Sequence, residues 1–137
     1  MSFDRAAAQK LLSDVFAPWV QDLALDVVAI SQQQASLRMP FSQRLAREGG
    51  VICGQAMMAL ADTAMVFAVS GASGRYRPMT TVDQTTHFLK PASGGAIIAT
   101  AEIVRLGKTM AFGRVTLSAE ADGKPVATVQ TAYALLD

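Results

Sequence analysis

From Ala56 to Val69 the chain is apolar at every position except Asp62 and Thr63. A helix that is apolar on nearly every face has to be buried. The stretch is shorter than the roughly 20 residues a bilayer span needs, and an ionisable group sits at its centre. The pattern therefore predicts a helix inside a water-soluble fold, running from Val51 to about Ser70 and stopped by Gly71-Ala-Ser-Gly74. Everything else in the chain has to supply the surface that covers it.

The C-terminal half of the chain is suited to that task. Met79–Leu89, Ala96–Val104, Thr109–Ala121 and Val126–Leu135 are rich in Thr, Val, Ile and Phe. Turn signals separate them: Lys90-Pro91, Gly94-Gly95, Leu106-Gly107-Lys108 and Asp122-Gly123. Asp-Gly between two apolar runs is the strongest hairpin signal of these. Upstream, Phe3–Val15 reads as a helix ended by Pro18. Leu23–Ile30 and Ala35–Met39 read as strands, and Pro40–Gly50 as a loop. The order helix, two strands, long helix, four strands predicts an α+β fold, a curved antiparallel β-sheet wrapped around a long central helix.

The chain has 137 residues, which fits one domain over 1–137, with residues 1–20 as an N-terminal helical extension. Hydrophobic residues make up 51% and charged residues 17%, an apolar excess that suggests burial against other copies of the chain. The net charge is +1 without a basic run, so nucleic acid is not an expected partner. Cys53 is the only cysteine and His87 the only histidine, so neither a disulfide framework nor a metal site is expected. The N-terminus lacks a basic segment followed by an apolar core, and the expectation is a cytoplasmic protein without a membrane partner.

Two features could carry chemistry. Asp62 places a carboxylate in the apolar helix, which costs several kcal/mol unless a partner or a function accounts for it. Such a residue is a reactive group, or one that bonds a backbone N–H or a nearby Thr, or one that faces an exposed stripe of the helix. Gly54 stands where the helix begins, and helix N-termini offer unpaired N–H groups that hold a carbonyl oxygen or an anion. A glycine there also serves a simple turn.

Taken together, Gly50-Val-Ile-Cys-Gly-Gln55, Ala61-Asp-Thr-Ala64, Thr81-Val-Asp-Gln-Thr-Thr-His-Phe-Leu-Lys-Pro-Ala92 and Gly107-Lys-Thr109 resemble the hotdog-fold thioesterases of the phenylacetate-pathway (PaaI-like) group. The resemblance spans about residues 20 to 135, with the four segments in the family's order. Family members open the central helix with a His-Gly-Gly triplet and place an Asp or Glu nine residues after the His. Here Cys53 and Gln55 replace the His and the second glycine, while Gly54 and Asp62 match. Near Arg47, where relatives often carry Asn or Gln, neither is present.

The resemblance implies a hydrolase that cleaves acyl-coenzyme A to the free acid and coenzyme A, with no separate cofactor. Asp62 would act as general base or nucleophile. The Gly54 N–H would polarise the thioester carbonyl, and Thr81 would orient water. Cys53 and Gln55 would line the substrate site. The turn with Arg105, Lys108 and Thr109 would meet the nucleotide end of coenzyme A, because a basic turn suits phosphates, or else is a solvated basic hairpin tip. A hotdog module that binds acyl-CoA without cleaving it is the competing reading. A hotdog dehydratase would need a His on the central helix, and none is there.

Distance adds a constraint of its own. Eight residues of helix separate Gly54 from Asp62 by about 12 Å along the axis. One thioester carbonyl cannot meet both in a single chain. The expectation is a homodimer, or a dimer of dimers, with active sites at the dimer interface.

Overall fold

The computed structural model describes residues 3–137. Helix α1 (Arg5–Val15) is followed by a short helix α2 (Pro18–Gln21). Strands β1 (Asp26–Ile30) and β2 (Gln34–Met39) come next, and then a miniature pair, β3 (Ala46–Arg47) with β4 (Val51–Ile52). Helix α3 (Gly54–Ser73) leads into β5 (Met79–Phe88), β6 (Ile97–Leu106), β7 (Met110–Ala119) and β8 (Pro125–Leu135). The six long strands form one sheet in the order β1-β2-β6-β7-β8-β5. Every pairing in it is antiparallel.

The sheet holds α3 against its inner face, with contacts from β1, β2, β5, β6 and β7. Leu60, Ala61, Ala64, Met65, Phe67 and Ala68 of α3 are fully buried there. By length and composition α3 is the one helix among the described residues that could cross a membrane, but it serves here as the mostly buried core helix. It ends where Gly74 turns left-handed (φ 74°) and donates its N–H to the Gly71 carbonyl at 3.3 Å.

Inside that last turn, Gly71 lies against β1. A Cβ there would sit 2.6 Å from the Ser31 carbonyl oxygen and 2.9 Å from Ile30 Cγ2. Backbone cannot give way as a side chain can. Gly71→Ala is therefore expected to destabilise the fold by about 1–3 kcal/mol despite alanine's better helix propensity. Chemical denaturation of the two proteins measures the difference.

Several expectations are met and several are corrected. The helix at the N-terminus and all six long strands are where the sequence places them, within a few residues. The central helix begins at Gly54 rather than Val51, because Val51 and Ile52 pair with Arg47 and Ala46. The Pro40–Gly50 loop contains that β3 strand and two 3-10 turns, at Gln43–Leu45 and Glu48–Gly50. Pro18 ends α1 by starting α2, where its fixed φ suits the first helical position. Strand β1 starts at Asp26, not Leu23: Ala24 takes a positive φ of 57°, which breaks the extended run although Leu23 and Leu25 remain buried.

The two edges of the sheet differ. The β1 edge is covered by α1, whose Arg5 Nε donates to the Val27 carbonyl at 2.7 Å. Gln9 accepts from the Val27 N–H at 2.9 Å and donates to the Leu25 carbonyl at 3.2 Å. The β5 edge has no such cover. Among the described residues, the only side chain bonded to its main chain is Thr131, which holds the Asp83 carbonyl from within the sheet at 2.9 Å. Val82 and Phe88 stand exposed along it. A long edge left bare is a template for pairing with another strand.

Candidate active site

Asp62 lies on the side of α3 that faces β5 and β8. Thr81 Oγ1 donates to its Oδ1 at 2.8 Å. The Tyr133 hydroxyl donates to the same Oδ1 in a short hydrogen bond, and also reaches the Asp62 main-chain carbonyl at 3.1 Å. Oδ2 takes no hydrogen bond from the described residues. Asp62 lines a groove of about 370 Å³ together with Phe16, Trp19, Val20, Met58 and Gln84. One carboxylate oxygen is thus fixed from inside, and the other is left for whatever enters.

Strand register explains how the donors arrive. Thr81 and Tyr133 are directly opposite on β5 and β8, so their side chains share the face toward α3. Gln84 is opposite Thr131 and faces the same way. Residues three apart on a regular strand point to opposite faces. A bulge between Thr81 and Asp83 adds one residue and brings both Thr81 and Gln84 inward. Gln84 Nε2 then donates to the Met58 carbonyl at 3.1 Å, forming a wall of the groove.

Tyr133 is buried, with 1% of its surface exposed. Burial, together with the charge of Asp62 and the hydrogen bond to it, pushes the Tyr133 phenol well above the usual tyrosine range. It stays protonated at any physiological pH and serves as a donor.

Gly54 opens on a different space. It lines a cavity of about 470 Å³ with Arg47, Met57, Phe88, Leu89 and Lys90. A Cβ at Gly54 would lie 3.0 Å from Phe88 Cζ, so the far end of β5 covers this glycine. Cys53 precedes the helix and makes no side-chain capping bond. The N–H groups of Gly54, Gln55 and Ala56 find no partner among the described residues. Those donors are the ones a helix start leaves unpaired.

The structure therefore joins Thr81 to Asp62 and leaves Gly54 apart. Cys53 and Gln55 line a third pocket with Trp19, Asp22 and Arg44, and Gln55 also borders the Asp62 groove. Arg105, Lys108 and Thr109 line neither the Gly54 cavity nor the Asp62 groove. Their turn lies where β8 ends and β5 begins, since the Leu135 N–H donates to the Thr109 carbonyl and Met79 pairs with Leu135. That is the Thr81 end of β5, remote from Phe88. Met57 lines the Gly54 cavity and Met58 the Asp62 groove, whereas Met65 and Phe67 are fully buried core. His87 is exposed among Arg114, Thr128 and Gln130, away from Asp62.

Tyr133, Gln84, Phe16 and Trp19 were not legible as site residues from sequence. A signal existed for Tyr133 alone: a phenol at the inward parity of an Ala- and Val-rich strand needs a buried partner.

Residues 49–126 match the Thioesterase superfamily. Among curated proteins, the chain is 28% identical over 107 residues to "Putative esterase Ta0293" of Thermoplasma acidophilum, covering 74% of this chain and 77% of that one. Thioesterase HI1161 from Haemophilus influenzae superposes with a TM-score of 0.87 at 20% identity, over 100% of this chain and 93% of that one. The E. coli PaaI protein from the phenylacetic acid degradation operon gives 0.82 at 19% identity, over 95% and 91%. With its antiparallel sheet wrapped about one long helix, the chain has the hotdog fold and belongs to the thioesterase superfamily.

Proposed function

We propose that the protein hydrolyses acyl-CoA thioesters at a site shared between two copies of the chain. The observation that carries this reading is Asp62, held by Thr81 and Tyr133 on Oδ1 with Oδ2 free beside an apolar groove. Water at Oδ2 would give its proton to the carboxylate as its oxygen bonds the carbonyl carbon. An N–H donor near the carbonyl oxygen would stabilise the charge that develops there. The C–S bond then breaks, and the coenzyme A sulfur leaves with the proton. Direct attack by Oδ2, with water resolving the resulting anhydride, uses the same geometry.

The carbonyl polariser is Gly54 of the partner subunit. The bare β5 edge supports this. Two β5 strands paired antiparallel about their midpoint lay the Phe88 end of one copy beside the Thr81 end of the other. Gly54 lies under Phe88, and Asp62 is bonded to Thr81. The pairing would carry each Gly54 toward the opposite Asp62, closing the gap of about 12 Å that separates them in one chain.

The test is hydrolysis of phenylacetyl-, butyryl- and palmitoyl-CoA by the wild-type protein. Turnover of one of them is the expected result. Saturable binding of all three without turnover would favour a non-catalytic binding module instead.

Two basic pairs compete for the nucleotide. Lys108 with Arg105 would come from the subunit that supplies Asp62, and Lys90 with Arg47 from the one that supplies Gly54. Lys108→Ala is expected to raise KM for the acyl-CoA more than for the matching acyl-N-acetylcysteamine, which has no phosphate. An equal effect on both thioesters, with Lys90→Ala discriminating between them, would assign the nucleotide to the other pair.

A further inference from the structure

Three features outside the chemistry above invite an assignment: the polar pocket of the outer sheet face around His87 and Arg114, the pocket at Cys53, and the buried phenol of Tyr133. The first is open sheet surface whose mixed lining points to no one ligand chemistry. The second rests on a lone cysteine. The third has defined geometry.

We infer that Tyr133 is the positioning residue for Asp62, fixing Oδ1 through its hydroxyl so that Oδ2 alone meets the water or the thioester. The inference rests on Asp62 being the reacting carboxylate. Thr81 alone would be a weak anchor, because its hydroxyl can turn away from Asp62 about a single bond. Tyr133 cannot do so. Its ring is packed in the core, and its strand is paired on both sides, with Thr81 on β5 and Ala111 on β7. Its hydroxyl meets the Asp62 main-chain carbonyl as well as Oδ1, which ties the carboxylate's orientation to the helix backbone itself. A carboxylate turns about its last bond with little resistance, and a charge-assisted bond from a rigid donor removes that freedom. A burial partner would have sufficed for packing alone. A donor aimed at one carboxylate oxygen, with the other left without a hydrogen bond from the described residues, does more.

The test compares wild type, Tyr133→Phe, Asp62→Asn and the double variant on whichever of the three thioesters turns over. Phenylalanine fills the same space and removes one hydroxyl. Tyr133→Phe is expected to lower kcat by about ten- to hundredfold, the size of a lost bond to a charged group. KM should stay within about twofold, because the hydroxyl does not touch substrate. On the residual turnover of Asp62→Asn, about 10²–10⁴-fold below wild type, the same change should cost nothing further, since the two act through one atom. Equal losses in both backgrounds would mean that Tyr133 is structural only, and wild-type kcat in Tyr133→Phe beside a strongly impaired Asp62→Asn would overturn the inference while leaving the proposed reaction standing. Wild-type activity in Asp62→Asn would instead remove the reading on which it rests.

A second measurement needs no tyrosine variant. The chain has two tyrosines, Tyr76 and Tyr133, so the hydroxyl proton of the buried, hydrogen-bonded one can be assigned by NMR of tyrosine-labelled protein. That resonance should move upfield in Asp62→Asn relative to wild type, because a bond to a charged oxygen is replaced by a weaker one to a neutral amide. An unchanged resonance would show that the phenol and the carboxylate are not coupled, and would overturn the inference even if Tyr133→Phe failed to fold.

Discussion

Asp62→Asn is expected to lower hydrolysis by about 10²–10⁴-fold and to leave the fold intact. General-base catalysis is worth about 10²–10⁴-fold, and an amide can neither accept the proton of water nor attack a thioester. Asparagine keeps the shape and one acceptor oxygen, so Thr81 and Tyr133 can still donate to it. The buried phenol is not orphaned, which is why stability should hold where activity does not. Steady-state turnover on the best of the three thioesters, with a denaturation curve beside it, checks both halves. Wild-type turnover in the variant would mean that Asp62 is only the partner of two hydroxyls.

The second large effect belongs to Gly54. As the first residue of α3, it can accept proline without disturbing the helix. Cys53 before it is already extended (φ −68°, ψ 148°), the conformation a residue preceding proline adopts. What Gly54→Pro removes is the unpaired N–H, and losing one such donor costs about 10²–10³ in kcat. Its Cβ would press on Phe88, 3.0 Å away. Gly54→Ala is the control, because it adds the same Cβ but keeps the N–H. Alanine should retain far more activity than proline. Equal losses would assign the effect to displacement of the Phe88 ring.

How much of this could be read from residues alone differs between fold and site. The central helix and the strands after it arise from hydrophobic period and turn chemistry, which act locally. The bounds shifted where non-local pairing won, as at Val51 and Ile52, which join Ala46 and Arg47. Asp62 was legible because a carboxylate in an apolar helix is costly. Its two donors were not, because they depend on strand register. The bulge after Thr81 decides that Thr81 faces α3, and the β5–β8 pairing decides that Tyr133 is opposite it. A one-residue slip would turn either side chain to the other face. The separation of Gly54 from Asp62 was legible from helix rise alone. The structure adds a β5 edge left bare while α1 covers the β1 edge, and on that edge the proposed pairing of two copies rests.

Subunit mixing tests the shared site most directly. Asp62→Asn lacks the carboxylate but can lend its Gly54 N–H. Gly54→Pro lacks the N–H but keeps Asp62. Each protein alone should be inactive. After the two are unfolded together and refolded as a mixture, each mixed dimer should hold about one working site in two, because a two-fold axis pairs intact Gly54 with intact Asp62 once. Return of turnover on mixing, absent from either protein refolded alone, is the predicted result. If both variants fold and exchange subunits, as tagged copies would reveal, and activity still does not return, the site is not shared between subunits.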